Sequence, residues 1–151
     1  MAIHLIQAYL VGIAGLAVGA VIGLIVAATL QRSMRVWDAR VTVPLLLAAA
    51  GAHLVLITQV ELQRQILFGL YAASLIGVAI FAVAGLGIWR LGAVVFPAGS
   101  IAAYFYFALP EHQADYVGLL VKVVELAAIV SAVVPVLVRA RAYDGERRIT
   151  T

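Results

Sequence analysis

The segment YVGLLVKVVELAAIVSAVVPVLV, residues 116–138, carries no charge other than Lys122 and Glu125. As a helix rising about 1.5 Å per residue, it is long enough to cross a hydrocarbon core about 30 Å thick. Four further segments share its length and apolarity: Ala8–Leu30, Val41–Val60, Ile66–Ile88 and Leu91–Leu109. The chain therefore reads as all-α, a polytopic membrane protein with a bundle of five transmembrane helices. Residues 1–151 form one transmembrane domain, and 139–151 form its tail.

Composition points the same way. Hydrophobic residues make up 66% of the chain and charged residues 11%, with a mean hydropathy of +1.14. Soluble domains average roughly 45–50% and about 25%. Of the ten Lys and Arg and seven Asp and Glu, all but Lys122 and Glu125 lie outside the five segments. The net charge of +3 sits mostly in short arginine-bearing connections beside the spans, so it reads as a topology signal and no nucleic-acid partner is indicated. Cysteine is absent, which excludes disulfides, thiolate metal sites and palmitoyl anchors.

Cytoplasmic connections retain an excess of Lys and Arg, and this sets the orientation. Arg32, Arg35 and Arg40 follow the first span, Arg90 follows the third, and Arg139, Arg141, Arg147 and Arg148 follow the fifth. Eight of the ten basic residues thus share one side. The N-terminus is expected outside and the C-terminus in the cytoplasm, in a prokaryotic cell membrane. The first span is expected to be retained, because no basic region precedes it and arginines follow it directly. Only Trp89-Arg90 separates spans three and four, and Gly85, Gly87 and Gly92 suit a tight reversal there. Trp37 and Trp89 are expected as interfacial anchors on the cytoplasmic side.

Small residues mark expected helix contacts. Gly15, Gly19 and Gly23 recur every four residues in span one, Gly69, Ala73 and Gly77 do so in span three, and Ala48-Ala49-Ala50-Gly51-Ala52 lies in span two. Without hydrophobic drive in lipid, close backbone approach along such faces supplies the dispersion contacts. These faces serve intramolecular packing, a homo-oligomer or other membrane subunits.

Charge within a span costs roughly 2.5–3.5 kcal/mol at the bilayer centre, so Lys122 and Glu125 need partners. Three residues apart on a helix, they face the same way, and Gly118 and Asp115 extend the stripe outward. Lys122 lies about 9 Å and Glu125 about 14 Å below Tyr116 by helix rise, and His53 of span two reaches a similar depth. Tyr9, Thr58, Gln59, Tyr71, Ser74, Ser100, Tyr104 and Tyr106 fall in the same outer half, whereas the inner half holds only hydroxyls such as Thr29, Thr42 and Ser131.

A relay across the membrane needs polar groups at every depth, but a pocket for an amphiphile needs them on one side only. The candidate site is accordingly His53, Lys122, Glu125, Asp115, Tyr71 and Tyr104, with quinone or lipid as the fitting ligand class. The competing reading is a satisfied ion pair that only fixes helix rotation. No catalytic residue or metal site is expected: Glu111, His112 and Asp115 read as solvated loop groups. No two of His4, His53 and His112 share the depth that a bis-histidine haem requires.

Three functions fit this pattern. The first is a non-catalytic integral subunit of a larger membrane complex, energy-transducing or electron-transfer in kind. The second is a small oligomeric transporter or channel using Lys122, Glu125 and His53. The third is a quinone- or lipid-binding membrane enzyme.

The charge asymmetry makes a direct prediction. A cytoplasmic fluorescent reporter fused after Thr151 will be active and a periplasm-dependent reporter at the same place silent. The reverse pattern overturns the orientation.

Overall fold

A computed structural model describes the backbone of residues 2–29, 37–107 and 116–149, and the side chains of 9–29, 39–107 and 116–141. Its helices are α1 (Ala2–Thr29), α2 (Trp37–Leu56), α3 (Leu62–Val83), α4 (Trp89–Phe107) and α5 (Tyr116–Ile149), with a single 3-10 turn at Ile57–Gln59 between α2 and α3. All five helices are long and apolar enough to span a membrane. Asp115, Glu111, His112, Arg32 and Arg35 lie outside the described residues, as do the side chains of His4, Trp37, Arg147 and Arg148.

Polarity is distributed as an apolar solvent requires. Leu10, Val18, Leu24, Leu67, Ile80, Leu91, Val123 and Val138 are among many large apolar side chains exposed on the bundle surface, while Thr42, His53, Lys122 and Glu125 are buried. In water such a surface would drive association; against lipid it costs nothing.

α2 is the central helix, packing against α1, α3 and α5. Its alanines make this possible, because a helix surrounded on several sides needs small side chains to let its neighbours close in. Ala49 and Ala50 face one buried cluster with Val43, Leu46, Leu75, Ala79 and Ala128, while Ala48 and Ala52 face a second with Leu16, Val117 and Val121.

The glycines of α1 lie directly on α2. A Cβ added at Gly15 would come 2.6 Å from the Gly51 carbonyl oxygen. One at Gly19 would collide with the Leu47 carbonyl, and one at Gly23 with the Pro44 backbone. This face is therefore used for packing within the chain.

Gly69, Ala73 and Gly77 do not form a helix contact. A Cβ at Gly77 would meet nothing within 4 Å, one at Gly69 would touch only Ile57, and Ala73 is exposed. The reason is rotational: α3 turns Ala72, Leu75, Val78, Ala79 and Ala82 inward, and the small-residue row lies beside that stripe.

The reversal between α3 and α4 also falls earlier than Trp89-Arg90. Gly85 adopts φ of 73°, and the Leu86 and Gly85 amides donate to the Phe81 and Ala82 carbonyls at 3.0 and 3.2 Å. This is a Schellman cap, which ends α3 at Val83 because only glycine takes the left-handed position without penalty. Trp89 then opens α4 and is 2% exposed, so it is a core residue and not an interfacial anchor. Arg90 covers it, with the guanidinium 4.8 Å from the ring centroid and Nη1 donating to the Ala132 carbonyl at 3.1 Å.

These glycine environments separate two substitutions of equal size. Gly19→Ile will lower the melting temperature in detergent, corresponding to a loss on the order of 1–3 kcal/mol or failure to fold, because backbone must move. Gly77→Ile will leave it within about 0.5 kcal/mol of the parent. Equal melting temperatures for the two would refute the assigned α1–α2 contact.

Candidate functional site

Four helices converge on one carboxylate. Glu125 of α5 is fully buried, and its oxygens accept three side-chain hydrogen bonds. Tyr71 Oη of α3 donates to Oε1 at 2.8 Å, Ser100 Oγ of α4 donates to Oε1 at 3.1 Å, and Lys122 Nζ donates to Oε2 at 2.8 Å. His53 of α2 brings Nε2 to 4.0 Å from Oε1. A buried carboxylate is tolerable only when its lone pairs are met by donors and its charge by a cation; both conditions hold here.

Helix periodicity places each group. On α5, Gly118, Val121, Lys122 and Glu125 recur at three- and four-residue steps and so share a face. On α4 the same spacing aligns Phe96, Ser100, Ala103, Tyr104 and Phe107, and on α3 it aligns Arg64, Leu67, Phe68 and Tyr71. α2 contributes His53 near its end, where Nδ1 lies 2.8 Å from the Ala49 carbonyl. A carbonyl only accepts, so Nδ1 carries a proton and the bond turns Nε2 toward Glu125. Phe68 and Tyr71 hold the imidazole edge-on, with ring centroids 5.2 and 4.6 Å away.

Lys122 has a second partner as well. Its Nζ donates to Ser100 Oγ at 2.5 Å, and it lies 5.7 Å from the centroid of the Tyr104 ring. Tyr104 reaches this position because α5 carries glycine beneath it: a Cβ at Gly118 would come 2.7 Å from the ring.

Beside this cluster is a cavity of about 850 Å³, bounded by α2, α3, α4 and α5, with Tyr9 of α1 at its margin. Its polar floor includes His53, Tyr71, Ser100 and Lys122, and its walls include Leu67, Phe68, Val95, Phe96, Phe107 and Val117. Leu67, Val95 and Phe107 are also exposed on the bundle surface, so the cavity has an apolar edge there. α3 and α4 touch near their turn, where Gly92 lies against Val78, and the cavity separates their far halves. The half nearer the turn is filled by Leu46, Leu75, Val78, Ala82, Trp89, Ala93 and Ala132.

Of the residues expected from sequence, His53, Tyr71, Tyr104, Lys122 and Glu125 come together, while Asp115 is outside the described region. Thr58 and Ser74 instead donate to the Val55 and Leu70 carbonyls of their own segments, and Gln59 and Tyr106 are exposed. Ser100 is more central than expected, bridging Lys122 and Glu125. Its spacing from Tyr104 is the signal that could have found it. Gln63 and Arg64 line the cavity without having been anticipated, because they precede Ile66, the expected start of span three, whereas α3 begins at Leu62. Among the described residues, no three His, Asp or Glu side chains gather as metal ligands.

The pairing predicts non-additive mutant effects. Lys122→Met and Glu125→Gln will each destabilise by about 3–5 kcal/mol, since each strands an uncompensated buried charge. The double substitution will cost less than either alone. A double-mutant cycle in detergent unfolding measures this, and strict additivity would mean that the two side chains do not interact.

Comparisons with protein-family models, curated proteins and solved structures gave no match.

Proposed function

We propose that the chain is an integral membrane subunit, oriented N-out and C-in, whose cavity holds an amphiphilic ligand. The ligand's polar head lies on the floor formed by Lys122, Ser100 and Tyr71, and its apolar part extends between α3 and α4 toward lipid. The carrying observation is the cavity itself: about 850 Å³, with His53, Tyr71, Ser100 and Lys122 at one level, Gln63 and Arg64 nearer the start of α3, mostly apolar and aromatic side chains along the rest, and exposed Leu67, Val95 and Phe107 at its edge. That volume is in the range of roughly 300–1,000 Å³ common to small-molecule sites.

Binding is favoured over flux by the other half of the bundle. Trp89 and the alanines of α2, α3 and α5 fill the space between the cavity and the arginine-bearing end. An ion would meet mostly close-packed apolar side chains there, and the Thr42 and Ser131 hydroxyls, bonded to each other, offer little to replace its hydration. The exposed apolar surface of the bundle supports a subunit role, in an energy-transducing or electron-transfer assembly.

Purification in mild detergent, native mass spectrometry and organic extraction test both parts. The wild-type protein will carry a co-purifying amphiphile. The double variant Gly99→Phe with Ala103→Phe will lose roughly ten-fold in occupancy while keeping its melting temperature, because both positions line the cavity and Gly99 has open space beside it. Equal occupancy in wild type and variant would refute the cavity as the site. Recovery only as a monomer without a heterologous partner would refute the subunit role.

A further inference from the structure

We infer that the head group taken by this cavity is a neutral, flat, carbonyl-bearing ring of the quinone class, with one carbonyl oxygen accepting a hydrogen bond from Lys122. This rests on the reading of the cavity as an amphiphile site and specifies its ligand.

Charge balance excludes the ionic alternatives at the floor. Glu125 is wholly buried behind the cavity wall, whereas Lys122 is part of that wall. The carboxylate and ammonium cancel at 2.8 Å. An anionic head beside Lys122 would place a second negative charge against one cation in a low-dielectric setting, and a cationic head would face the ammonium directly. A neutral acceptor disturbs neither. Two of the three ammonium N–H groups are directed to Glu125 and Ser100, which leaves one for an acceptor in the cavity.

The wall chemistry points to a ring. Tyr9, Phe68, Tyr71, Phe96, Tyr104 and Phe107, six aromatic side chains, line the space. Flat faces and edges of this kind favour a planar π-system over a branched or flexible head. Beyond them, exposed Leu67 and Val95 offer a path for an apolar tail.

Arg64 is the place where an anionic head would bind instead. It lines the cavity seven residues before Tyr71 on α3, about 10 Å nearer the helix start. The two readings therefore put the head at different depths and depend on different cations.

The test uses purified full-length protein in nanodiscs and three probes with the same decyl tail: a dimethoxy-methyl-benzoquinone, decyl phosphate and decyltrimethylammonium. Titration calorimetry will rank the benzoquinone first, by roughly ten-fold or more. The charge-neutral double variant Lys122→Met with Glu125→Gln will lose roughly ten-fold in benzoquinone affinity, and Arg64→Gln will lose less than about two-fold. Infrared difference spectra with a carbonyl-labelled benzoquinone will show the stretch of one carbonyl lowered in the wild type and restored toward the free value in the double variant. That spectral shift would not respond to a merely structural role of the pair.

Tighter binding of decyl phosphate, lost in Arg64→Gln, would overturn the quinone class and leave the cavity reading standing. Benzoquinone binding with an unshifted carbonyl, or unchanged in the double variant, would overturn the Lys122 contact. Failure of every probe to bind, together with wild-type protein free of co-purified amphiphile, would overturn the cavity reading as well.

Discussion

A carboxylate with no exposure to solvent sets the arrangement of the bundle. Glu125 draws donors from α3, α4 and its own helix, and faces an imidazole from α2. Each of these side chains must arrive within hydrogen-bonding distance, so the rotation of four helices about their axes is fixed at one level of the structure. Apolar packing alone specifies rotation weakly when every helix face is rich in Leu, Val, Ile and Ala. A charge whose isolation costs several kcal/mol specifies it strongly.

The two halves of the bundle solve different packing problems. α1 and α2 approach backbone to backbone through Gly15, Gly19, Gly23 and Gly51, and α2 closes on α3 and α5 through alanines. α4 is held differently: Trp89 is inserted into the core at one end, Arg90 caps the Ala132 carbonyl, and Ser100 joins the ion pair midway. Past Ser100, α4 has mostly exposed residues and a cavity at its flank. The short cap at Gly85 holds α3 and α4 together where they meet, and among the described residues the cavity separates them at the other end.

Much of this was legible in the sequence, for identifiable reasons. Span length and apolarity follow from bilayer thickness, so five helices could be counted; the three-residue spacing of Lys122 and Glu125 puts both on one face whatever surrounds them; and counting residues along antiparallel helices placed His53 at their depth. What could not be read depends on rotation between helices. Gly69, Ala73 and Gly77 have the spacing of a packing face, yet α3 is turned so that they look away from its neighbours. Trp89 resembled an interfacial anchor because the reversal was placed at Trp89-Arg90, and the left-handed Gly85 moves the turn back to 84–88. Ser100 was visible only as one hydroxyl among several, since its bridging role needs α4 and α5 side by side.

The Thr42–Ser131 contact shows what a purely structural polar pair looks like in the same fold. Its hydroxyl oxygens lie 2.8 Å apart across α2 and α5, without net charge, in the packed half of the bundle. That is sufficient to fix the relative rotation of two helices at small desolvation cost. Lys122 and Glu125 do the same job at far greater cost, and replacing such a pair by apolar side chains is often neutral or stabilising. In the function proposed above, their position beside a cavity supplies the missing reason. The carboxylate is hidden and immobilised by Tyr71 and Ser100, so it holds the ammonium at the cavity wall and balances its charge. What the cavity meets is a fixed donor in an apolar, aromatic-lined space. Such a donor orients an acceptor-headed amphiphile, a task that a hydroxyl pair in a close-packed interior cannot perform.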